Sequence, residues 1–454
     1  MATQLSNGTI TEETFLLKYT QKSEEVRDMI SKVERDHHSL ILIDTIQRLG
    51  LGYLFEDELE AILHQQFLAS KSAIYDLDLY KAALCFRLLR QQGYQVRPDC
   101  LIGDTKGLME LHEASHLSME GEDILHEAAE FSSRHLNAKL ASLNDDDDDE
   151  EAKIVIKDCL LYPQHKSLPR FKAKNFLDNL NGDNEWEILL QELANLEFSL
   201  VESSHKDEIL QVVRWWKGLG LSKELKSSRD QPLKWHMWSK AILCEPTWSK
   251  QRTLLTKPIS LVYAVDDIFD LYGTMDQLTV FTEAVIRWDI SAAENLPNYM
   301  KICFAAIYDT TYEICSMVFQ EYGWNPIDTL RKEWGRLFNA FLVEAKWFTS
   351  GELQKSEVYL ENGVVSSGVP VVLSHLFFLM GAGLTKETEV LLSDSQGISY
   401  SVAKILRLLD DLGTAQDEHQ EGYDGSYVEC YMKEKHVHSL EDAHEHVKAM
   451  VSET

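Results

Sequence analysis

The sequence predicts an all-α fold, and three observations support that prediction. Apolar residues recur at steps of three and four along residues 26 to 50 and 77 to 93, and each segment stops at a glycine. The chain has only 22 Gly and 9 Pro in 454 residues, too few turn formers for a many-stranded β protein. No alternating β-branched run bounded by hairpin signals interrupts the helical pattern. Hydrophobic residues make up 44% of the chain, which is enough for a large core and excludes global disorder.

The charge of the chain excludes several kinds of partner. The formal net charge is −30. Binding to a phosphate backbone needs clusters of Lys and Arg, so we expect no nucleic-acid partner. The same charge disfavours anionic membrane surfaces. The most apolar stretch, residues 364 to 383, contains Ser, Gly, Pro and His, so it predicts a buried helix and no stable membrane insertion.

Cysteine usage and the N-terminal sequence bear on the compartment. The seven cysteines form no C-x-x-C pair, which indicates a reducing compartment without a zinc ribbon or a disulfide framework. The first residues, MATQLSNGTITEETF, contain neither an apolar segment nor an Arg-rich amphipathic segment. We therefore expect a cytoplasmic protein, with a plastid as the alternative if a transit peptide is missing from this chain.

Two segments mark the organisation of the chain. Residues 144 to 151, NDDDDDEE, are a run of like charges and predict an exposed connector. Residues 181 to 186, NGDNEW, contain an Asn-Gly turn signal between two strongly helical stretches. We place the domain boundary there, which gives an N-terminal domain over residues 1–183 and a C-terminal domain over 184–454.

The first candidate site lies in residues 262 to 273, VYAVDDIFDLYG, where a long apolar run leads into three aspartates. Asp266 and Asp270 are four residues apart, which places them within ~40° of each other on a helix. Paired carboxylates at the end of an apolar helix suit Mg²⁺ or Mn²⁺, which accept oxygen ligands and also bind substrate phosphates. The alternative is an exposed acidic helix end.

The second candidate site lies in residues 404 to 422. Asp410, Thr414 and Glu418 form one stripe of oxygen ligands that rises ~6 Å per step on a helix. Arg407 precedes Asp410 by about one turn, and a guanidinium beside such a stripe suits a phosphate. The alternative is a salt-bridged solvent face with Arg407 paired to Asp410 or Asp411. Together, the two stripes predict a metal-dependent pyrophosphate site in an apolar helical pocket.

A third pattern, HEASH, fits the H-E-x-x-H spacing in which His112 and His116 bind Zn²⁺. The chain beyond it lacks the Gly and third His of metzincins, although Glu127 or Glu130 offers a carboxylate. The alternative, which we favour, is a helix in which both histidines are ordinary surface or core residues.

Several segments resemble plant terpene synthases, and the resemblance runs from about residue 25 to the end. It is carried by RWWKGLGL at 214 to 221, RDQPLKWHMW at 229 to 238, the segment from 244 to 274 that contains DDIFD, and LRLLDDLGTAQDE at 406 to 418. GLMELHEASHL also resembles the family, which accounts for HEASH without zinc. The resemblance implies a catalytically inert N-terminal α-barrel and a C-terminal class I isoprenoid synthase fold.

The resemblance also assigns roles to individual residues. Three Mg²⁺ ions would hold the substrate diphosphate, with Mn²⁺ as a possible substitute. The implied metal ligands are Asp266, Asp270, Asp410, Thr414 and Glu418, with Asp267 as a lesser ligand. The diphosphate would also contact Arg229 and Arg407, beside Asp266, Asp270 and Asp410. Trp238 would face the cavity and stabilise an allylic cation through its π face. The break at residues 365 to 368 matches the place where the family unwinds a helix.

Departures from the family pattern bear on the product. Gln231 stands where many members have arginine, and the N-terminal tandem-arginine motif is absent. Both features resemble the subgroup that makes acyclic alcohols such as linalool and nerolidol from geranyl or farnesyl diphosphate. We expect a monomeric lyase of that kind. One alternative is a prenyl-coupling enzyme. The other is an inactive relative, because the chain stops before the last helices and lid of the family.

Overall fold

The computed structural model describes residues 4–33, 37–73, 78–96, 105–119, 121–143, 147–180, 182, 184–351, 353–391, 397–418 and 426–454. Within these ranges, it leaves the side chains of residues 4–13, 37, 69–73, 147–149, 151, 391 and 414–418 undescribed. All regular elements in the described ranges are helices, so the predicted all-α fold is confirmed.

The chain forms two compact units, Met1–Ser203 and Ser204–Thr454. They divide inside one long helix, Glu185–Leu219. Gly182, three residues before this helix, has φ +67°, a conformation that glycine adopts without strain. The domain boundary between residues 183 and 184 stays a prediction. The compact units divide about 20 residues later, inside the helix that follows it.

In its described residues, the first unit has eight helices and the first part of a ninth that continues into the second unit. They are α1 (Gln4–Lys32), α2 (His37–Arg48), α3 (Glu56–Ala73), α4 (Leu79–Gln91), α5 (Thr105–Ser115), α6 (Asp123–Ser142), α7 (Asp147–Leu161), α8 (Pro169–Asp178) and α9 (Glu185–Leu219). Its main core includes the fully buried Ile43, Leu88 and Leu190.

The prediction of a connector over residues 144 to 151 is wrong from Asp147 onward, because those residues are helical. Residues 144 to 146 lie outside the described ranges, but α7 begins at Asp147. The first turn of a helix favours negative charge because its N–H groups point outward, so an acidic run can begin a helix. Lys153, one turn later, forms an ion pair with Glu150.

The second unit carries the remaining helices. They are α10 (Leu221–Glu224), α11 (Pro232–Ile242), α12 (Ser249–Asp267), α13 (Met275–Arg287), α14 (Asn298–Tyr322), α15 (Ile327–Ser350), α16 (Ser356–Ser366), α17 (Val369–Met380), α18 (Lys386–Leu391), α19 (Ile398–Glu418), α20 (Tyr427–Lys435) and α21 (Leu440–Glu453). The larger core has Phe281, Trp334 and Phe338 at its centre. A second core joins α16 and α19 to α20 and α21.

Two helical segments are long and apolar enough to cross a membrane, Asn298–Tyr322 and Ser356–Met380. About half of each apolar window is buried inside the fold, 56% and 50% respectively. The second segment is not continuous, because α16 ends at Ser366 and α17 begins at Val369. These segments are weak evidence for a membrane span, since core helices of globular proteins have the same composition.

Candidate functional site

The first acidic motif ends the buried helix α12. Leu261 and Val265 of this helix are completely buried. The α-helix stops at Asp267, and residues Ile268–Tyr272 form a π-helical turn that carries Asp270. The prediction of one regular α-helix through Asp270 is therefore wrong at its last turn. Such turns are rare and occur frequently at functional sites.

Arg229 connects the loop before α11 to this motif. Its Nη2 lies 2.5 Å from Asp266 Oδ2, and its Nε donates to Asp267 Oδ1 over 2.8 Å. Its backbone N–H donates to Asp267 Oδ2, also over 2.8 Å. Asp267 is buried, so these bonds satisfy both of its oxygens in the interior. Asp266 is only partly covered and faces a different direction from Asp267 on the helix.

Three carboxylates near the first motif, Asp266, Asp270 and Glu344, have raised pKa values. Incomplete hydration, followed by the charges of Asp266 and Glu344, raises the pKa of Asp270 to about 7, although the side chain reaches solvent. Burial also raises the pKa of Asp266, and burial raises that of Glu344, with Asp266 contributing. Carboxylates held together in this way favour a cation or a shared proton.

Glu344 was not found by sequence reasoning. It lies on α15, where it accepts hydrogen bonds from Ser366 Oγ at 2.6 Å and Asn362 Nδ2 at 3.1 Å. The signal in the sequence is one glutamate within the apolar stretch FNAFLVEAKWF. That signal alone does not tell which element the carboxylate faces.

The second acidic motif lies on α19, as predicted. Asp410 is exposed, whereas Asp411 is buried and accepts a hydrogen bond from the backbone N–H of Tyr427 at 2.8 Å. Arg407 Nε lies 3.0 Å from Asp411 Oδ1, so the alternative pairing with Asp411 is observed. Thr414 and Glu418 lie within the helix, but their side chains are outside the described part of the structure.

Electrostatic influences connect the two motifs within the second unit. The positive charge of Arg407 opposes the burial that raises the pKa of Asp266 on α12 and of Glu344 on α15. The charge of Asp410 raises the pKa of Tyr263, one turn before Asp267. Helix α17 packs against both α12 and α19. The structure therefore places Arg407 and Asp410 of the second motif within electrostatic range of the first motif.

Aromatic side chains lie beside Arg229. The ring of Tyr263 lies 4.8 Å from the guanidinium carbon of Arg229, and Trp235 stacks on it at 5.9 Å between ring centroids. Trp238 is 43% exposed, and its side chain acts on the Tyr263 hydroxyl as a donor that opposes the rise of the pKa of Tyr263. Tyr263 thus lies between Trp238 and the predicted diphosphate-binding arginine.

The break between α16 and α17 touches the same region. Gly368 has φ +73°, and a Cβ atom there would lie 2.4 Å from Cγ1 of Val262. Val262 is one turn before Asp266 on α12. The predicted break is confirmed, and glycine is required at this position by both its backbone conformation and its close approach.

The donor set of the two motifs fits a divalent cation. Asp266, Asp270 and Asp410 offer carboxylate oxygens, and loss of hydration raises the pKa of Asp266 and Asp270, a cost that a bound cation would offset. Within the described ranges, no three His, Cys, Asp or Glu side chains already converge at metal-binding spacing. The oxygens are the kind that Mg²⁺ and Mn²⁺ prefer.

The HEASH pattern forms part of α5 in the first unit. His112 Nε2 and His116 Nε2 lie 3.3 Å apart, and burial lowers the pKa of His116 to about 4. Glu113 accepts the backbone N–H of Gln164 at 2.7 Å, so it connects α5 to the segment Gln164–Lys166. The described residues provide no third metal ligand beside the histidines. The arrangement favours the interpretation as a helix with partly buried histidines.

Two family models match most of the chain. One described as "Terpene synthase, N-terminal domain" matches residues 1–158. The other, "Terpene synthase family, metal binding domain", matches residues 217–454 and contains both acidic motifs.

Similar proteins carry terpene synthase names. "Probable terpene synthase 4" of Ricinus communis is 48% identical, over 97% of this chain and 81% of the relative. "(E)-nerolidol synthase TPS18VF" of Cannabis sativa is 46% identical, over 99% and 83%. "S-(+)-linalool synthase, chloroplastic" of Arabidopsis thaliana is 42% identical, over 94% and 77%.

A solved structure agrees with these matches. Isoprene synthase from grey poplar, in complex with three Mg²⁺ ions and dimethylallyl-S-thiolodiphosphate, superposes with a TM-score of 0.85 at 33% identity. The match covers 97% of this chain and 87% of that one. The chain therefore belongs to the terpene synthase family of lyases, and its second unit carries the metal-binding domain of that family.

Proposed function

We propose that the protein is a Mg²⁺-dependent terpene synthase that ionises an allylic prenyl diphosphate and lets water capture the cation. The product would be an acyclic alcohol, linalool from geranyl diphosphate or nerolidol from farnesyl diphosphate. The observation that carries the proposal is the group of carboxylates from α12, α15 and α19 around Arg407, beside an aromatic cavity wall.

The chain's own residues would hold the diphosphate in the following way. Arg407 and Arg229 would donate hydrogen bonds to its oxygens, because guanidinium groups match phosphate geometry. The carboxylates of Asp266, Asp270 and Asp410 would hold the Mg²⁺ ions, with Thr414 and Glu418 as the remaining proposed ligands. Bound Mg²⁺ would neutralise charge on the leaving diphosphate. Three ions are expected, and Mn²⁺ would substitute.

Arg229 would change partners when the diphosphate binds. Its Nη2 now contacts Asp266, while its backbone N–H and Nε are held by Asp267. The hydrogen bonds to Asp267 fix the arginine near the first motif. The Nη2 group could then turn from Asp266 to a diphosphate oxygen, which would release Asp266 to bind a metal ion.

The rest of the cavity would control the cation. When the C–O bond breaks, both electrons leave with the diphosphate, and the positive charge spreads over the allylic carbons. The π faces of Trp238 and Tyr263 would stabilise that charge. A water oxygen would then bond to the cation and lose a proton, which gives the alcohol.

The relatives named nerolidol synthase and linalool synthase support the acyclic product. We propose a cytoplasmic monomer that uses farnesyl diphosphate, with a plastid enzyme that uses geranyl diphosphate as the alternative. The absence of arginine at Gln231 supports an early capture of the cation, before ring closure.

A product assay tests this proposal. Purified protein is incubated with geranyl or farnesyl diphosphate, with Mg²⁺ or a chelator, and volatile products are identified by gas chromatography and mass spectrometry. We expect Mg²⁺-dependent linalool or nerolidol that is lost in Asp266→Ala. A cyclic product would contradict the acyclic assignment. In a parallel incubation with added isopentenyl diphosphate, a longer prenyl diphosphate, detected as its alcohol after phosphatase treatment, would indicate prenyl coupling. No product from folded protein would contradict the catalytic proposal.

A further inference from the structure

Tyr359 makes the closest polar contact to Arg407. The tyrosine lies on α16 and is 5% exposed, within the core that α16 forms with α19, α20 and α21. Arg407 Nη2 donates a hydrogen bond to the Tyr359 hydroxyl. The guanidinium carbon also lies 5.2 Å from the centroid of the tyrosine ring. One side chain therefore holds Arg407 through both its hydroxyl and its ring.

The hydroxyl of Tyr359 also serves a second partner. It donates to Asp411 Oδ1 over 3.2 Å, and Arg407 Nε lies 3.0 Å from the same oxygen. The other oxygen of Asp411 accepts the backbone N–H of Tyr427 over 2.8 Å, so Asp411 is fixed in turn. A tyrosine hydroxyl can accept one hydrogen bond and donate another, which is what this arrangement requires. Phenylalanine could do neither.

Helix α16 also restricts the aliphatic stem of Arg407, its Cγ and Cδ atoms. Gly363 lies one turn after Tyr359, and a Cβ atom there would lie 3.1 Å from Cγ and 3.3 Å from Cδ of Arg407. A methyl group would be tight against this stem. Helix α16 thus fixes both the head and the stem of Arg407.

The constrained guanidinium lies within electrostatic range of carboxylates on α12 and α15. The side chain of Arg407 is 23% exposed, and its charge acts on Asp266 and Glu344. An arginine side chain loses considerable rotamer freedom when it binds a ligand. If the structure has already fixed the side chain, less freedom is lost when the diphosphate binds.

We propose that Tyr359 is a positioning residue that, with Gly363, holds Arg407 in the orientation that binds the substrate diphosphate. This inference rests on the proposed function, in which Arg407 binds the diphosphate. Tyr359 acts through Arg407 and need not touch the substrate.

The test measures binding of inorganic pyrophosphate by calorimetry in the presence of Mg²⁺. Tyr359→Phe should weaken binding by about tenfold, since Arg407 loses a hydrogen-bond acceptor. Gly363→Ala should weaken it by about threefold or more, because the arginine stem is displaced from its rotamer. Gly363→Ala removes no polar side chain, and the better helix propensity of alanine offsets part of the cost of the close contact, so thermal stability should stay close to that of the wild type. Tyr431→Phe, in the same core, should bind pyrophosphate like the wild type.

A double-variant comparison separates positioning from a structural effect. In an Arg407→Gln background, adding Tyr359→Phe should weaken pyrophosphate binding by less than about twofold, since its effect requires the arginine. Unchanged binding in Tyr359→Phe, or an equal loss in both backgrounds, would overturn the inference while the proposed function stands. If wild-type protein binds no pyrophosphate, the proposed function fails, and this inference fails with it.

Discussion

Replacing Gly368 by alanine adds only one methyl group, but it should strongly destabilise the second unit. The residue has φ +73°, a conformation that costs a residue with a Cβ atom about 1–2 kcal/mol. The new methyl would also lie 2.4 Å from Cγ1 of Val262, and overpacking of this kind costs about 1–3 kcal/mol. The sum is a loss of about 2–5 kcal/mol in the free energy of unfolding.

Urea titration followed by tryptophan fluorescence measures that loss. Nine of the ten tryptophans lie in Ser204–Thr454, so the signal reports mainly on the second unit. Because Val262 lies one turn before Asp266, turnover should fall together with stability.

Gly323 provides a matched control for this prediction. It has φ +71°, nearly the same as Gly368, but a Cβ atom there would meet nothing within 4 Å. Gly323→Ala should therefore cost only the backbone part, about 1–2 kcal/mol. Adding Val262→Ala to Gly368→Ala should recover part of the additional loss. Equal losses for Gly368→Ala and Gly323→Ala would refute the argument from close approach.

Three further predictions follow from the site. Without added metal, thermal stability should fall as the pH rises from about 4 to about 7. The fold raises the pKa of Asp270 from 3.8 to about 7, so in this range folded Asp270 keeps a proton that the unfolded chain has released. Asp270→Asn should flatten this pH dependence in thermal melts, and a wild-type profile in that variant would contradict the assignment. Arg229→Ala should lower the free energy of unfolding by about 1–3 kcal/mol in urea titrations, since the buried Asp267 loses a charged partner, and a loss below about 0.5 kcal/mol would argue against that pairing. His116→Gln should leave Mg²⁺-dependent turnover unchanged, and loss of turnover with release of stoichiometric zinc would revive the zinc hypothesis.

The sequence predicted the fold class because the information is local. Apolar spacing over a single helix and the shortage of turn formers are visible without knowledge of the packing. The same local reasoning gave a wrong prediction for the acidic run at the start of α7. Charge repulsion predicts an exposed connector there, but negative charge is also favourable at a helix N-terminus, and the structure begins the helix at Asp147.

The site was predictable where its chemistry lies on one segment. Asp266, Asp270 and Asp410 were identified by their spacing and by the apolar helices that precede them. The π-helical turn at Asp270 was not, since nothing in the pattern VYAVDDIFDLYG distinguishes it from an α-helical turn. Residues that act across helices were also missed. Glu344 lies 78 residues after Asp266, and Tyr359 lies 48 residues before Arg407. Only the packing shows which charges these side chains meet.

The most direct test of the central claim asks whether α12 and α19 contribute to one metal–diphosphate site. Mn²⁺ binding is counted by electron paramagnetic resonance, with and without inorganic pyrophosphate, in wild-type protein, Asp266→Ala and Asp410→Ala. The account predicts that pyrophosphate increases Mn²⁺ binding in the wild type, and that either substitution removes most of this increase. If Asp410→Ala retains the wild-type increase while Asp266→Ala loses it, the two acidic helix ends do not share a site, and the account is contradicted.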